Sequence, residues 1–569
     1  MVKKWLVAKK IPASARDAFP ELDPAIVQLL YNRGLRTQGA VDEFIACDYT
    51  NDLHDSFLFR DMQKAIGRIF AAVERGERIT VHGDYDADGV SATVLLVSVL
   101  KELGAEVGVY IPHRQSEGYG LNEHTVEELH GHNTGLIVTV DCGIANKKEI
   151  ALAVSKGIDV IVTDHHEEPP ELPGAYAIIN PHVKGERYPF RELSGVGVAF
   201  KLVQALIKRD GGKKIKEGFE KWLLDLVALG TIGDLVPLIG ENRTLVKYGI
   251  VVLRKTKRVG LQELAQSIGI TLETFDTSRI GYSIVPRLNA AGRMDHANTA
   301  YELLMTNDRQ HARQVSEDLE KTNQERQRIT EKMVNDAKKQ IGEVNDQKIL
   351  FAIGEGWQVG VVGLVAGRLT DRYARPAVVM GSDNGEAVGS GRSVPGFDIT
   401  KALVESRDLL ERFGGHATAC GFTLKRESVE LFKKRMYSIA ERELTAEELT
   451  KHILIDCEAS LEQLGWNVAE ALEAFEPYGT GNERPRFVSY GLEVTDVQKV
   501  GKDGKHLRLT VQQGGTVRKM IAFGFGDSIG EFLSPGDRVD AVYELSFNEW
   551  NGNRELQLKL IDIRVGEVK

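Results

Sequence analysis

Three aspartates and a histidine stand within seven positions of one another, in the stretch ITVHGDYDADGVSAT that covers residues 79–93. Only small or neutral residues separate His82, Asp84, Asp86 and Asp88. Carboxylates that are crowded in this way repel one another and cost free energy unless a positive group holds them. Divalent metal ions are positive groups that carboxylate and imidazole side chains can bind together. The stretch is therefore a candidate metal site.

Two further motifs of the same kind follow later strands. Asp141 comes after LIVTV, and Asp164, His165 and His166 come after DVIVT. In an open parallel sheet the carboxyl ends of the strands face the ligand crevice, so we expect these side chains to converge with those that follow RITV. Five or six such groups exceed what one metal ion needs, and we predict two ions about 3.5–4 Å apart that share one carboxylate. Mixed Asp and His ligation favours Mn²⁺, with Mg²⁺ as the alternative.

Each motif has a simpler interpretation when it is taken alone. The DxDxDG spacing also resembles a calcium-binding loop, but Leu95 occupies the position where such a loop needs a glutamate. Asp141 could cap a helix after its strand, and His165 and His166 could form a surface pair by chance. Their position at three successive strand ends favours one metal site over three separate coincidences.

Short apolar strands that alternate with helices from about residue 60 predict a parallel sheet covered on both faces, and hence an α/β fold class. A long helix with little apolar surface, at 311–341, is expected to link two domains across solvent. After about residue 453, strands of alternating polarity predict a small OB-like β-barrel. The predicted segments are an N-terminal segment without an assigned role (1–55), a parallel-sheet domain (56–310), the linking helix (311–345), a second α/β domain (346–450) and the barrel (453–569).

The composition is that of a globular protein with several cores. The chain has 569 residues, 42% of them hydrophobic and 27% charged, and a net charge of −10. This length exceeds the roughly 250–300 residues that one core supports. The four cysteines lie far apart, which argues against a disulfide framework and a cysteine zinc site. No signal peptide and no membrane span is predicted, and we expect a cytoplasmic protein. The acidic net charge does not exclude a nuclease.

The motifs DYDADG, VDCG and TDHH, in this order, resemble the DHH phosphoesterase superfamily. The glycine-rich stretches GSGRS (389–393) and GGHATACGF (414–422) resemble its DHH-associated domain. Together with DLVALGTIGDLVPL, PRLNAAGRMD, QVGVVGLVAGRL and EPYGTGNERPRF they are similar to bacterial single-strand-specific exonucleases of that superfamily. The resemblance runs from about residue 55 to the C-terminus. It implies that 56–310 is a DHH catalytic domain and that 346–450 is the associated domain.

The resemblance implies a two-metal phosphodiesterase that degrades single-stranded DNA from 5′ to 3′ into mononucleotides, for DNA repair and recombination. The implied metal ligands are His82, Asp86, Asp88, Asp141, His165 and an aspartate of the fourth motif, with Asp141 shared by both ions. Asp234, at the end of a predicted helix, is favoured over Asp225 for that last position. His166 would lie beside the scissile phosphate as electrophile or proton donor, and the general base is His166 or solvent.

Other residues near strand ends or glycines are candidates for binding phosphate. We expect Arg114, Ser390 and Arg392 to bind a 5′-phosphate. The further candidates are Arg287, Asn289, Arg293, Gly415 and His416. On the barrel, the candidate groups that could stack on bases are Phe523, Phe525, Phe547 and Trp550.

Three other functions share the metal motif. They are a phosphodiesterase of dinucleotides or very short RNA, a degenerate protein that only binds nucleic acid, and a pyrophosphatase. The barrel and the long helix favour a long polymer as substrate. Single-stranded DNA is the expected partner, a helicase and a single-strand-binding protein are further candidates, and a monomer is expected.

Overall fold

The computed structural model describes residues 3–565, apart from 384, 527, 528, 530, 531 and 551. The chain divides into two compact units. The larger unit is Tyr49–Lys451, and the smaller unit combines Met1–Asp48 with His452–Lys569. Among the described residues, no helix is long and apolar enough to cross a membrane.

The chain begins in the smaller unit with one short strand and three helices. These are β1 (Lys4–Val7), α1 (Ala13–Asp17), α2 (Pro24–Asn32) and α3 (Gln38–Ala46). Helix α2 has Asp23 as its N-cap and Pro24 in its first turn. The side chains of Ile26, Leu29 and Leu30 are buried.

The larger unit opens with a parallel sheet whose order is β3-β2-β4-β5-β6, so the predicted α/β fold is confirmed. Its strands are β2 (Arg78–His82), β3 (Val107–Tyr110), β4 (Thr134–Val140), β5 (Asp159–Thr163) and β6 (Ala177–Ile179). The helices of this part are α4 (Met62–Arg75), α5 (Ala87–Glu102), α6 (Glu123–Gly131), α7 (Lys147–Ser155) and α8 (Gly195–Asp210). Both faces are buried, because Val138 and Ile137, neighbours on β4, belong to two different hydrophobic cores.

A helical region follows the sheet and ends in the long helix. It contains α9 (Phe219–Trp222), α10 (Leu224–Asp234), α11 (Gly240–Leu253), α12 (Val259–Ser267), α13 (Thr277–Arg279), α14 (Val285–Met294), α15 (Asn298–Met305) and α16 (Arg309–Ile341). The expectation that α16 crosses solvent is wrong. Its first half buries Val315 and Leu319 in the core of the parallel-sheet domain, and its second half buries Met333 and Val334 in a core of the next domain.

The second sheet of the larger unit is mixed, with the order β10-β11-β9-β8-β7. Only β7 and β8 pair in parallel. The elements are β7 (Leu350–Glu355), α17 (Val359–Tyr373), β8 (Ala377–Asp383), β9 (Glu386–Arg392), α18 (Ile399–Glu405), β10 (Arg412–His416), β11 (Ala419–Lys425) and α19 (Val429–Glu443). The glycine-rich stretch at 414–422 lies in the hairpin of β10 and β11, where the backbones pair closely.

The smaller unit closes with the predicted barrel. Its elements are β12 (His452–Ile455), β13 (Cys457–Glu458), α20 (Trp466–Glu473), β14 (Arg486–Val500), β15 (His506–Gln513), β16 (Thr516–Ala522), β17 (Arg538–Trp550) and β18 (Asn553–Val565). Strands β14-β15-β16-β18-β17 close through the pairing of β14 with β17. Strand β1 pairs with β12, and α2 shares the barrel core, so the first 48 residues are part of this unit.

Candidate metal centre and nucleic-acid site

The acidic residues lie at one edge of the parallel sheet because their strands end in register. His82 pairs with Thr139 on β4, and Val140 pairs with Thr163 on β5. Asp141 follows one residue later, and its backbone N–H still donates to Thr163 (3.0 Å). The carboxyl ends of parallel strands therefore place these motifs around one crevice, as the sequence predicted.

The start of α5 fixes the first motif. One carboxylate oxygen of Asp86 accepts the N–H groups of Asp88 (2.9 Å) and Gly89 (3.1 Å), which makes Asp86 the helix N-cap. The carboxylate of Asp88 accepts the N–H groups of Gly195 (2.7 Å) and Val196 (2.9 Å) at the start of α8. A helix N-terminus stabilises negative charge, so α8 holds Asp88 in the crevice.

Two glycines let helices approach the carboxylates closely. A Cβ atom at Gly195 would lie 2.3 Å from Asp141 Oδ1, and one at Gly230 would lie 2.4 Å from Asp88 Oδ1. Asp141 itself has φ +60°, a backbone conformation that costs free energy for a residue other than glycine. A strained residue at the point where ligand atoms meet is typical of a functional site.

The ligand atoms form overlapping groups in which all atoms lie within 4.8 Å of one another. The groups are Asp88 with His165 and Asp234, Asp141 with His165 and His166, and Asp84 with Asp86 and Asp141. His165 Nε2 lies 3.2 Å from Asp141 Oδ1 and 3.6 Å from Asp234 Oδ2.

The fourth-motif aspartates have different surroundings. Asp234 lies at the C-terminal end of α10 and reaches the cluster. Asp225 lies in the first turn of α10, and its Oδ2 accepts from Arg258 Nε (3.0 Å) and Thr256 Oγ1 (2.9 Å). Asp225 is thus occupied by an ion pair within the helical region, and Asp234 is the aspartate that faces the crevice.

Two carboxylate oxygens of this cluster, Asp84 Oδ1 and Asp141 Oδ1, are buried without hydrogen-bond partners. His82 Nε2, at the end of β2, is also buried and unpartnered, but His82 belongs to none of the three groups. Burial raises the pKa of the Asp141 carboxyl well above its usual range, and the charges of Asp88 and Asp86 raise it further. Burial and the charge of Asp86 raise the pKa of Asp234 to about 6. Unpartnered acceptors and mutually repelling carboxylates fit a site for divalent cations.

His166 is held beside the cluster. Its Nδ1 lies 2.7 Å from Asp164 Oδ1, and its ring stacks on His416 of strand β10 with centroids 6.1 Å apart. Burial lowers the pKa of His166, but the hydrogen bond and charge of Asp164 outweigh it and raise the pKa to about 9. Asp164 Oδ1 also accepts the backbone N–H groups of His165 and His166, and its Oδ2 accepts that of Ile144.

Metal binding should be visible as stabilisation. We expect protein freed of metal with EDTA to melt several degrees higher once Mn²⁺ is added. A free ligand at 100 times its Kd stabilises the folded state by about 2.7 kcal/mol per site. Thermal unfolding followed by near-UV circular dichroism measures the shift, and an equal concentration of K⁺ is the control. An unchanged melting temperature at millimolar Mn²⁺ would contradict the presence of this metal site.

Comparisons with known proteins decide the family. Sequence models of three domains match the chain: the DHH family N-terminal domain over 78–231, the DHHA1 domain over 346–442 and the RecJ OB domain over 455–562. The chain is 38% identical over 549 residues to the single-stranded-DNA-specific exonuclease RecJ of Bacillus subtilis strain 168, covering 96% of this chain and 68% of that protein. It is 33% identical to RecJ of Escherichia coli strain K12, covering 95% of this chain and 96% of that protein. The chain belongs to the RecJ family.

Solved RecJ structures agree with the fold and with the expected ions. A crystal structure of Thermus thermophilus RecJ in complex with Mn²⁺ matches with a TM-score of 0.84 and 30% identity, and the match covers 99% of this chain and 80% of that one. A second crystal structure of that protein holds Mg²⁺. Mn²⁺ and Mg²⁺ are the ions that the ligand set of this RecJ-family chain was predicted to bind. The match of the RecJ OB domain also confirms the predicted OB fold of the barrel.

Several predicted phosphate-binding residues of this RecJ-family chain lie near the crevice. Arg392 Nη1 donates to Ser390 Oγ (2.9 Å), and the guanidinium of Arg114 lies 4.7 Å from the centroid of the Tyr85 ring. Burial lowers the pKa of Arg392, and the positive charge of Arg114 lowers it further. The ring of His416 stacks on that of His166.

Three other predicted residues have contacts within the protein, and their contact with phosphate stays a prediction. Asn289 Oδ1 accepts the backbone N–H of Ala87 (2.7 Å) at the start of α5. Arg287 Nε donates to Glu320 (2.5 Å), so its charge is already paired. Gly415 has φ +146°, and a Cβ there would lie 2.3 Å from the carbonyl oxygen of Ala419, so glycine is required by the β10–β11 hairpin.

Helix α16 adds cationic and amide groups that the sequence motifs did not predict, beside the predicted Arg293 of α14. Asn323 Nδ2 and Arg326 Nε are buried without hydrogen-bond partners, and Arg326 Nη2 donates to Asn323 Oδ1 (2.8 Å). Burial lowers the pKa of Arg293 to about 9, and the charges of Arg114 and Arg326 contribute. Burial and the charge of Arg368 lower the pKa of Arg326. Mutually repelling guanidinium groups with unpartnered donors suit an anion such as a phosphate.

The sequence of α16 does contain a signal for these groups, in the polar residues on its apolar face. The buried face of α16 runs through Leu319, Asn323, Thr330 and Met333, so polar residues interrupt its apolar face. A buried polar residue on a face that is otherwise apolar needs a partner.

The aromatic residues predicted to stack on bases differ in their exposure to solvent. Phe523 is 54% exposed and can meet a base, whereas Phe525 packs against the barrel core. Phe547 lies between the ring of Trp466 and the guanidinium of Arg554. The side chain of Trp550 lies outside the part of the chain that can be described.

Proposed function

We propose that this member of the RecJ family is a two-metal phosphodiesterase that removes mononucleotides from single-stranded DNA in the 5′ to 3′ direction. The observation that carries the proposal is the convergence of carboxylate and imidazole groups from three strand ends and α10 on one crevice. Strand β10 of the associated domain brings His416 to the same crevice.

We propose that His82, Asp86 and Asp141 bind one ion, and that Asp88, Asp141, His165 and Asp234 bind the other. The short distances from His165 to Asp141 and Asp234, and the unpartnered Nε2 of His82, support this division. Two bound divalent cations supply Lewis acidity toward the phosphate and a nucleophile at neutral pH.

His166 is the proposed proton donor to the leaving 3′-oxygen. Because Asp164 engages Nδ1, the nitrogen left for the substrate is Nε2. The carboxylate of Asp164 fixes the ring in the same way as the acid of a catalytic triad orients its histidine. Positioned acids of this kind contribute rate factors of about 10²–10⁴.

The proposed 5′ to 3′ direction of degradation follows from a proposed pocket for the 5′-phosphate. Arg114, Ser390 and Arg392 supply two guanidinium groups and a hydroxyl, and guanidinium groups bind phosphate through charge-assisted hydrogen bonds. Strand β9 places Ser390 and Arg392 beside α17, because a Cβ at Gly363 would lie 3.1 Å from both side chains. A terminal phosphate held there would present the next linkage to the metal centre.

A single-stranded oligonucleotide labelled at its 3′ end tests the proposal, with a matched duplex and a dinucleotide alongside. In Mn²⁺ we expect progressively shorter labelled products from the single strand alone, faster with a 5′-phosphate than with a 5′-hydroxyl. Immediate release of the labelled mononucleotide would overturn the polarity. Cleavage restricted to the dinucleotide would instead indicate a phosphodiesterase of very short substrates.

The cluster on α16 predicts a second effect on DNA. Arg326→Gln should weaken the binding of a long single strand several-fold and make the salt dependence of log K shallower by about 0.7, the value for one phosphate contact on a single strand. Fluorescence anisotropy in EDTA at several salt concentrations measures both. Arg328→Gln is the matched control, because Arg328 lies on the same helix but is exposed and pairs with Glu325. Equal effects of the two substitutions would contradict a phosphate contact at Arg326.

The cellular setting is part of the proposal. An enzyme restricted to single strands needs duplex DNA to be opened, so a helicase and a single-strand-binding protein are the proposed partners in DNA repair and recombination. One chain supplies both the metal ligands and the phosphate pocket, which supports action as a monomer. All four cysteines are free thiols, in line with a cytoplasmic location.

A further inference from the structure

The side chain of Arg114 lies on an aromatic ring and not against a carboxylate. Its guanidinium carbon is 4.7 Å from the centroid of the Tyr85 ring. In the described part of the chain, Arg114 forms no ion pair and no side-chain hydrogen bond. A guanidinium over an aromatic face, within about 6 Å of the centroid, is attracted by the electron density of the ring. The face of Tyr85 is therefore the contact that orients this cation.

The main chain around Arg114 is fixed by hydrogen bonds of its own turn. After β3, the N–H of His113 donates to Glu117 Oε2 (2.6 Å), and the N–H of Glu117 donates to the carbonyl of His113 (2.9 Å). Glu117 Oε1 accepts from the hydroxyl of Tyr110, the last residue of β3 (2.5 Å). These bonds hold the backbone, whereas a long arginine side chain keeps its rotamer freedom unless it is packed. The position of the guanidinium thus depends on Tyr85.

Tyr85 is anchored between two helices and can serve as a fixed surface. It precedes Asp86, the N-cap of α5. On α14, a Cβ at Gly292 would lie 2.5 Å from the carbonyl oxygen of Tyr85 and 3.2 Å from its Cβ, so this helix packs directly on the residue. The Tyr85 side chain also packs against the core of the parallel-sheet domain.

The two neighbours of Tyr85 in the chain belong to the metal cluster. Asp84 and Asp86 form one ligand group with Asp141. A guanidinium that paired with these carboxylates would use the N–H donors that a phosphate needs. A ring face attracts the positive charge and leaves those donors without a carboxylate partner. Tyr85 therefore holds Arg114 ready to bind an anion.

We propose that Tyr85 is a positioning residue for the terminal 5′-phosphate, acting through the guanidinium of Arg114. The inference rests on the proposed function, in which Arg114, Ser390 and Arg392 bind that phosphate. The ring orders the guanidinium before the substrate arrives, so less rotamer entropy is lost when the phosphate binds. The preference of the enzyme for a 5′-phosphate over a 5′-hydroxyl then depends on the aromatic ring of Tyr85.

Release of the first nucleotide from two oligonucleotides, one with a 5′-phosphate and one with a 5′-hydroxyl, tests this role. The ratio of their kcat/KM values cancels any change in the metal cluster, which both reactions use. Tyr85→Leu should lower this ratio about tenfold through a higher KM for the phosphorylated strand, the size of a partly desolvated cation–π contact. Tyr85→Phe keeps the ring and should keep the ratio. Tyr176→Leu is the matched control, because Lys64 lies 4.7 Å from the centroid of that ring, and it should leave the ratio unchanged.

A ring of similar shape with less electron density separates the cation–π contact from packing. Replacement of Tyr85 by trifluorophenylalanine keeps a ring in place and withdraws electrons from its face. We expect the ratio to fall nearly as far as in Tyr85→Leu. A ratio equal to that of Tyr85→Phe would show that the ring acts by packing alone and would overturn the proposal.

A double-mutant cycle shows whether Tyr85 acts through Arg114. The ratio should already be low in Arg114→Gln, and the addition of Tyr85→Leu should lower it no further. A further fall would overturn the proposed route through Arg114. The proposal is also overturned if Tyr85→Leu lowers kcat/KM equally on both oligonucleotides, since Tyr85 would then act on the metal cluster.

Arg114→Gln distinguishes failure of the inference from failure of the proposed function. If Arg114→Gln lowers the ratio but Tyr85→Leu does not, the phosphate pocket stands and the role of Tyr85 is overturned. If Arg114→Gln keeps the ratio of the parent, or the parent has no preference for a 5′-phosphate, the proposed pocket fails and the inference fails with it. A low ratio in both variants is the expected result.

Discussion

Replacement of Asp141 by asparagine is expected to lower the rate of DNA hydrolysis by at least about a thousandfold, because metal ions supply several kcal/mol of charge stabilisation and each 1.36 kcal/mol is tenfold in rate. Asp141 and His165 each belong to two of the three ligand groups, and Asp141 is the carboxylate of the two. The loss of this carboxylate should therefore lower the affinity for both ions. Single-turnover kinetics on a single-stranded oligonucleotide and calorimetry with Mn²⁺ measure the two effects.

The same substitution should not lower the stability of the metal-free protein. Asp141 is a buried carboxylate among like charges, and burial together with the charges of Asp88 and Asp86 raises its pKa. An amide of the same shape removes that repulsion, so EDTA-treated Asp141→Asn should melt no lower than the parent. Asp336→Asn, on the surface of α16 beside Lys339, is the matched control and should retain full activity. If the activity of Asp141→Asn were within tenfold of that of the parent, Asp141 would not be a ligand of the metal site.

Replacement of Glu241 by leucine is expected to destabilise the larger unit by about 3–5 kcal/mol, the cost of leaving a buried charge without its partner. Lys201 is fully buried, and its Nζ donates to Glu241 Oε1 (2.5 Å). The same carboxylate accepts from the Tyr188 hydroxyl (2.5 Å) and from the backbone N–H of His54 (2.7 Å). Urea denaturation followed by near-UV circular dichroism measures the loss.

A double variant identifies the cause. Lys201→Met combined with Glu241→Leu removes both charges, and we expect it to recover most of the stability that Glu241→Leu loses. Lys208→Met with Asp55→Leu is the exposed counterpart on the same helix, and this pair should have a small effect. If the double variant were as unstable as the single one, the loss would come from packing instead of an unpaired lysine.

The sheet and its acidic motifs could be predicted because their signals are local. Strands of three to seven mostly apolar residues, separated by helices, specify a parallel sheet, and the residues after each strand then share one edge. The motif also contains the N-cap of the helix that follows, Asp86, and an acidic residue of its first turn, Asp88. The barrel was predictable for the same reason, since alternating polarity marks each strand.

Sequence patterns did not reveal partners that lie far away in the sequence. Asn289 and Arg287, which were predicted to contact DNA, have Ala87 and Glu320 as partners within the protein, and their contact with DNA stays a prediction. The helix α16 was expected to cross solvent because its apolar residues are few. The few apolar residues of α16 lie on one face of the helix, and this face packs against both sheet domains.

The sequence by itself determined the chemistry of this protein: the types of ligands, their position after strands, and the ions that suit them. Tertiary structure alone decided which groups complete the site. Asp234 instead of Asp225 reaches the crevice, His416 comes from a hairpin about 250 residues after His166, and Arg326 on α16 has a buried Nε without a hydrogen-bond partner. The physical reason is the distance along the sequence between the residues that interact. Strands and caps arise from neighbouring residues, whereas the direction of a helix end or a hairpin depends on packing between segments that no local pattern relates.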